Sequence, residues 1–322
     1  MTLALAAAVI VGVPLVLIGY ITLAETALRP LPSLPAAAVR PWLWTAPGFF
    51  FLSVFLIYPT LKTIDLSFFG PDSATFVGLA NYVPIFTEAA TQTALRNNGL
   101  WLVLFTLLTV SLGLLMAVLT DRVRYEAIAK SVVFLPMAVS FTAASVIWKF
   151  VFDYRPAGTA QTGTLNALLT LIPGFQPQAW LISSPLNSVL LIIASVWVWT
   201  GFCMVVLSAA LKGISAELLD AARVDGASEW QVFWRVIFPL LGSTVAVVTT
   251  IMIVFALKTF DVVYVMTSGN YSTQIIAVSQ YQQMFTNRDF GKASAIGVVL
   301  LVAILPVLAF NLRRFREQEA VR

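Results

Sequence analysis

Histidine does not occur among the 322 residues, and cysteine occurs once, as Cys203 in an apolar run. The first absence removes haem ligation by imidazole, histidine metal sites and histidine general-base catalysis. The second excludes a disulfide framework and any Cys-x-x-Cys redox or zinc site. Charge is scarce as well. Asp, Glu, Lys and Arg make up 11% of the chain, where a soluble domain averages about 25%. The phosphate-cradling pattern GxxxxGK[ST] is missing, so this chain does not hold ATP as that motif does.

Apolar side chains fill the space instead, at 59% of residues against about 45–50% in soluble domains. Long apolar runs imply an all-α polytopic integral membrane protein. The bilayer core offers no water to the backbone, so each crossing needs a helix of about 20 residues. The net charge of +4 is modest, and the basic residues sit in short loops, not in one patch. That is a membrane-topology signal, and it argues against nucleic-acid binding.

Seven crossings can be read, at 3–24, 42–66, 98–120, 131–152, 185–211, 242–266 and from 294 to about 312. The first has no basic lead-in and exceeds the about 7–15 apolar residues of a signal peptide. It reads as a retained span, with cleavage near Ala24–Ala27 as the alternative. Four prolines with Arg29 and Arg40 make 25–41 an irregular connector. Pro136 should kink the fourth span. Basic residues gather in 25–41, in 121–130 (Arg122, Arg124, Lys130), in 212–241 and at Arg313, Arg314 and Arg316. All four segments share one face if the N-terminus is outside, which makes that face, and the C-terminus, cytoplasmic.

The long polar interruption at 217–241 reads as two short helices broken at Asp225-Gly226. Ser215 can cap the first, with Glu217 in its first turn, where the helix dipole favours an anion. Gly226 suits a left-handed helix stop. Ser228 and Gln231 form a capping box for the second. There Trp230, Phe233, Trp234 and Ile237 make one apolar face, which should tie the hook to its flanking spans. Pro239 marks the entry of the next span. Ala221, Ala222, Gly226 and Ala227 form a small-residue face that another protein could approach closely.

Asp220-Ala221-Ala222, three residues, Gly226, nine residues, Val236, one residue and Phe238-Pro239 resembles the EAA loop of ABC importer permeases. The family pattern is EAA, three, G, nine, I, one, LP, so Asp220, Val236 and Phe238 are conservative departures. Phe76-Val77-Gly78-Leu79-Ala80-Asn81-Tyr82 is similar to the FxGLxNY segment of carbohydrate-type permeases. Phe260-Asp261-Val262-Val263-Tyr264-Val265-Met266-Thr267, then Gly269-Asn270-Tyr271, resembles the α-glucoside branch, as does the extra N-terminal span. The resemblance covers about Pro41 to Arg314.

The resemblance implies a type I ABC importer permease of the maltose-permease-like family. Residues 1–41 would be an extra helix and linker. Residues 42–322 would be a core of six transmembrane helices with a cytoplasmic coupling loop at 212–241. It also implies a bacterial inner membrane, an ATPase dimer holding ATP and Mg, a second permease subunit and an extracytoplasmic sugar-binding protein. The chain itself would hold no cofactor or metal and would not be an enzyme. Glu217, Asp220, Ala221, Ala222, Asp225, Gly226, Ala227 and Pro239 would meet the ATPase.

Charges at membrane depth cost about 2.5–3.5 kcal/mol on insertion scales, so each needs a partner, a cavity or an interface. Lys258 and Asp261, three apart in the sixth span, either neutralise each other as a structural pair on one helical face or line a substrate path. Lys149 and Asp153 read as interfacial, through snorkelling, and Asp65 as interfacial at its span end. Trp197, Trp199, Thr200 and Phe202 put flat rings and a hydroxyl at mid-membrane. Such rings either pack or stack on the C–H faces of a sugar. By resemblance, maltose-type permeases contact sugar at the positions matching Val198, Trp199, Phe202, Phe255, Ala256 and Thr259. Ala256 and Thr259 replace amides there. Trehalose, sucrose, maltose and glucosylglycerol all fit an α-glucoside path.

Two other classes remain. An ion-driven secondary transporter would want inverted halves with matching broken spans, and no such halves are seen. A membrane transferase would want an acid/base cluster at an interface, but Asp220, Asp225 and Glu229 are spread around a helical hook.

Overall fold

The computed structural model describes residues 2–29, 33–121 and 123–320. Among them the regular structure is helical, and an isolated bridge pairs Phe69 with Phe76. Six helices are long and apolar enough to cross a membrane, or seven if one bent pair counts as a span. The chain separates into two units, 1–65 and 66–322.

The first unit is a helical hairpin. Helix α1 is Thr2–Leu28. Ser33–Leu52 runs through a π turn at Ser53–Ile57 into Tyr58–Leu66, and Ala38–Leu66 of that run is the membrane-length helix α2. The irregular connector expected at 25–41 is therefore mostly helix. Pro35 falls in the opening turn of the second helix, where a missing N–H costs nothing because first-turn N–H groups have no intrahelical partner. Pro30 and Pro32 lie outside the described residues. Glu25 is neutralised across the hairpin by Arg40 (3.1 Å) and accepts from Trp44 Nε1 (2.9 Å). The Tyr20 hydroxyl adds a bond to the Leu43 carbonyl at 2.5 Å.

In the second unit, α3 is Ala89–Thr120. Helices α4 (Glu126–Phe134) and α5 (Phe141–Val151) follow, then α6 (Leu186–Lys212). Next come α7 (Ala216–Val224), α8 (Glu229–Lys258) and α9 (Asp261–Thr267). Helices α10 (Ile276–Tyr281) and α11 (Phe290–Ala320) close the order. Arg313, Arg314 and Arg316 fall in the last turns of α11; Arg122 lies outside the described residues.

Helix α6 is the axis of this unit, with 61% of its membrane-length window buried, against 33% for α3 and 28% for α8. Its all-round apolar sequence suits it to that position. It packs along α3 and against α4 and α8. Small residues permit the approach: Gly113 of α3 lies directly on Cys203, and Gly201 lies against the backbone of Val133 and Phe134. Trp101, Phe105, Leu191, Ile192, Met204, Leu207 and Met252 fill the core around it.

The fourth span is not the single kinked helix expected. Its halves, Glu126–Ala138 and Phe141–Val151, are bent by 98°. Pro136 sits in a 3-10 turn at Leu135–Ala138, and Val139 and Ser140 are extended. Ser140 then restarts the chain as an N-cap, its hydroxyl accepting from Ala143 N at 3.2 Å. A proline kink leaves a helix continuous; two extended residues do not. Lys149 and Asp153 find separate partners beyond the bend. Lys149 donates to the Val265 carbonyl (3.3 Å), and Asp153 accepts from Thr162 (2.5 Å).

The 76–82 segment is a clamp. Gly78 takes φ +58°. Asn81 Nδ2 donates to the Ser67 (2.9 Å) and Phe69 (2.6 Å) carbonyls, and the Tyr82 hydroxyl bonds the Ser67 hydroxyl at 2.7 Å. Gly291, at the start of α11, lies against Asn81 and the Phe69 carbonyl with no room for a side chain.

Candidate functional site

Two regions hold the residues singled out above. The first is the hook between α6 and α8. Helix α7 ends as the glycine pattern predicts. Gly226 has φ +85°, its N–H donates to the Arg223 carbonyl (3.0 Å), and Ala227 N donates to the Ala222 carbonyl (3.1 Å). That bond pair is a Schellman stop. The capping box also forms, with Ser228 N donating to Gln231 Oε1 (2.8 Å) and Gln231 N to Ser228 Oγ (3.4 Å). Ser215 occupies the N-cap of α7, but its side chain makes no capping bond.

Arg223 fixes the angle between the two hook helices. Its guanidinium donates twice to Glu229 (2.7 and 3.3 Å) and once to Asp220 (2.8 Å). Glu229 first, then Asp220, hold its pKa above the ordinary arginine value. The fork geometry of arginine allows one cation to bind both carboxylates.

The second hook helix is not separate. It continues as α8 through Pro239, and a π turn at Phe233–Ile237 precedes the proline. That wider turn rotates the expected apolar face. Trp230 is 72% and Trp234 45% exposed, so these two rings do not tie the hook to its neighbours. Phe233 and Ile237 of that face do, together with Val232 and Leu241, against Leu114, Leu211, Ile214 and Leu219. The small-residue face divides as well. Ala222 and Ala227 turn inward onto that cluster, whereas Glu217, Asp220, Ala221, Asp225, Gly226 and Pro239 are exposed. The apolar Leu218 and Val224 are exposed on the hook too, a feature spacing alone did not single out.

The second region is a cleft of about 160 Å³ at the far end of α8. Helix α8 stops at Lys258. Thr259 (φ −55°, ψ 130°) and Phe260 (φ −141°, ψ −60°) leave helical geometry before α9 begins at Asp261. Lys258 and Asp261 are therefore not on one helical face, and no ion pair joins them among the described residues. Each sits at a helix end whose dipole suits its charge, and both line the cleft.

Trp199 is its centre. Its ring centroid lies 3.8 Å from Phe255, 5.4 Å from Phe141 in a stacked pair and 5.8 Å from Phe202 edge-on. Phe141 and Phe255 line the cleft with Ser195, Thr259, Phe105, Phe260 and Val262, whereas Phe202 packs against the core behind Trp199. Val198 and Ala256 are buried in the core away from it. The Thr200 hydroxyl is used by its own helix, donating to the Val196 carbonyl at 2.7 Å. Thr259 likewise donates to the Phe255 carbonyl at 3.0 Å. Phe141 could not be read from local sequence, because only the 98° bend brings the start of α5 onto Trp199. Ser195 lies four residues before Trp199 on α6, the one signal that could have found it.

Beyond the cleft, buried asparagines hold the 268–275 loop. Asn97 Nδ2 donates to the Ser272 (2.7 Å) and Gln274 (2.8 Å) carbonyls, and Asn187 Nδ2 to Tyr271 O (2.8 Å). Tyr271 and Ser272, whose carbonyls take two of these bonds, are left-handed residues.

The family model described as binding-protein-dependent transport system inner membrane component matches residues 109–318. An osmoprotective compounds uptake permease protein of Synechocystis is 54% identical over 280 residues, 87% of this chain and 100% of that one. An alpha-glucoside transport system permease protein of Rhizobium meliloti is 41% identical, over 86% of this chain and 83% of that one. Among solved structures, a bacterial ABC transporter involved in the import of alginate superposes with a TM-score of 0.75 at 23% identity, covering 88% of this chain and 99% of that one. At that identity the likeness is one of fold.

Proposed function

The chain belongs to the binding-protein-dependent transport system inner membrane components, and from that premise we propose that its cargo is an α-glucoside or a glucosylated osmoprotectant. It is a permease subunit of an ABC importer, a translocation component in the inner membrane. The cargo class is supported by the relatives that are permeases for alpha-glucosides and osmoprotective compounds.

One observation carries the path: α8 unwinds at Thr259–Phe260 on a cleft centred on Trp199. Non-helical backbone at membrane depth is tolerated only where it is buried in protein or lines a cavity. The freed carbonyls at the end of α8, with Ser195, Lys258 and Asp261, suit hydroxyls. Trp199 and Phe255 suit the apolar face of a pyranose.

Energy comes from a separate ATPase dimer that holds ATP and Mg and takes the exposed face of the hook. Its closure moves α7, which Arg223 locks to α8, and α8 transmits the motion to the break at Thr259. A second permease subunit completes the path, and an extracytoplasmic binding protein delivers the sugar. The hook and the C-terminus are cytoplasmic and the N-terminus is outside. In support, Glu126 joins Lys130 and Lys212 (2.6 Å to the latter), so the basic 121–130 loop and the base of the hook share one end.

The test is uptake of labelled trehalose, sucrose, maltose and glucosylglycerol by cells carrying the complete transporter. Uptake of at least one, lost in Trp199→Ala at unchanged protein level, is expected. Wild-type uptake of none of them would refute the cargo class.

A further inference from the structure

The aromatic surface does not end at the cleft. Phe260, part of its lining, stacks on Tyr264 with centroids 5.0 Å apart and 16° between planes. Tyr281 stands 5.3 Å from Phe260 and 4.9 Å from Tyr264. Phe285 follows at 4.7 Å from Tyr281. These spacings are ordinary for interacting rings, so packing alone would explain the distances. Packing does not explain the exposure. Phe260, Tyr264 and Tyr281 are half-buried, and Phe285 is 63% exposed although a neighbouring ring lies against it.

The frame beneath the rings is held by amides. Gln282 Nε2 donates to the Ser268 carbonyl (3.1 Å), and Gln274 Nε2 donates to Gln282 Oε1 (2.8 Å). Immediately after Tyr281 the helix widens into a π turn at Gln282–Thr286, which includes Phe285; such turns recur at functional sites. Asn287 and Gln283, joined at 3.0 Å, add amides beside the outermost ring. Ring faces fringed by amides match a pyranose, which has an apolar C–H face and a polar rim. A lipid chain would have no use for the fringe.

We infer that Phe285, Tyr281, Tyr264 and Phe260 form a stacking track that conducts pyranose rings from the loop surface beyond α9 to the cleft at Trp199. The track rests on the carbohydrate reading above. It would act on capture and transit and leave the coupling at the hook untouched.

The test is initial-rate uptake by cells carrying the complete transporter, with the α-glucoside that the wild type carries best. Tyr281→Leu and Phe285→Leu should each raise KM by about threefold to tenfold, the range a lost aromatic contact spans, and leave kcat nearly unchanged. Tyr281→Phe and Phe285→Tyr, which keep the ring, should restore the wild-type KM. A photoreactive aryl-azide α-glucoside should label Tyr281–Phe285 in wild-type membranes, and unlabelled sugar should suppress it. Leucine variants with wild-type KM, or with lowered kcat at unchanged KM, would overturn the track alone. So would photolabel found only elsewhere. No wild-type uptake of any α-glucoside would overturn the track together with the cargo class.

Discussion

A side chain on Gly201 would place its Cβ 2.6 Å from the Val133 carbonyl oxygen and 2.7 Å from Phe134 Cα. This contact between α6 and α4 lies just ahead of the 98° bend, and the bend delivers Phe141 to Trp199. The aromatic cleft therefore depends on a missing methyl group two residues from its own centre.

Gly201→Val should destabilise the chain by about 1–3 kcal/mol, the usual cost of overpacking, and lower uptake. Gly201→Ala should do less. Thermal unfolding in detergent is the measurement; a Gly201→Val variant that melts with the wild type would remove this contact from the account.

Arg223→Lys should weaken transport far more than stability. A lysine cannot reproduce the double bond to Glu229 while also holding Asp220. Both carboxylates are well exposed, so the loss of stability should stay within about 1 kcal/mol. Substrate-stimulated ATP hydrolysis and uptake, measured together, report the coupling. If both match wild type, the Arg223 lock has no part in it.

Gly226 has open space around it, so its requirement in the isolated chain is for positive φ. Gly226→Ala should cost about 1–2 kcal/mol of local strain, and Gly226→Asn less, since Asn also closes left-handed helix stops. Gly226→Asp should abolish uptake and ATPase docking with the protein still inserted. Copurification of the ATPase separates the causes: Gly226→Asn failing as badly as Gly226→Asp would assign the requirement to the docked face, not to the turn.

Lys258→Gln and Asp261→Asn should change KM for uptake independently, because no bond joins the two. A double variant that recovers wild-type KM would show that they act as a pair.

Asp153 is held below the ordinary aspartate value, chiefly by the Thr162 hydroxyl, with the Tyr154 backbone and Arg155 adding to it. A depressed carboxylate contributes stability above its unfolded value of about 3.9. That contribution is lost as pH falls through the lower folded value. The 153–162 loop should therefore open to an acid protease as pH drops below about 4. Asp153→Asn should remove this pH dependence, and an unchanged acid profile in that variant would contradict it.

Helix existence, the hook's glycine stop and its capping box were legible in the chain, because each depends on residues a few positions apart. The boundaries of the sixth span were not. Its pattern runs unbroken through Thr259 and Phe260, yet the helix stops there and starts again at Asp261. Trp230 and Trp234 misled for a related reason. The π turn at Phe233–Ile237 adds a residue to the turn, so the buried face runs Val232, Ile237, Leu241, and an α-helical period wrongly put Ile237 on the face of Trp230 and Trp234.

Composition and local spacing alone determined that this is a polytopic helical chain with an amphiphilic hook, since hydropathy and helix-end chemistry act over one or two turns. Only the tertiary structure decided which rings meet. That depended on how closely α6, α4 and α8 approach, and close approach between helices distant in sequence is set by backbone contact at residues such as Gly201 and Gly113, whose effect no local window contains.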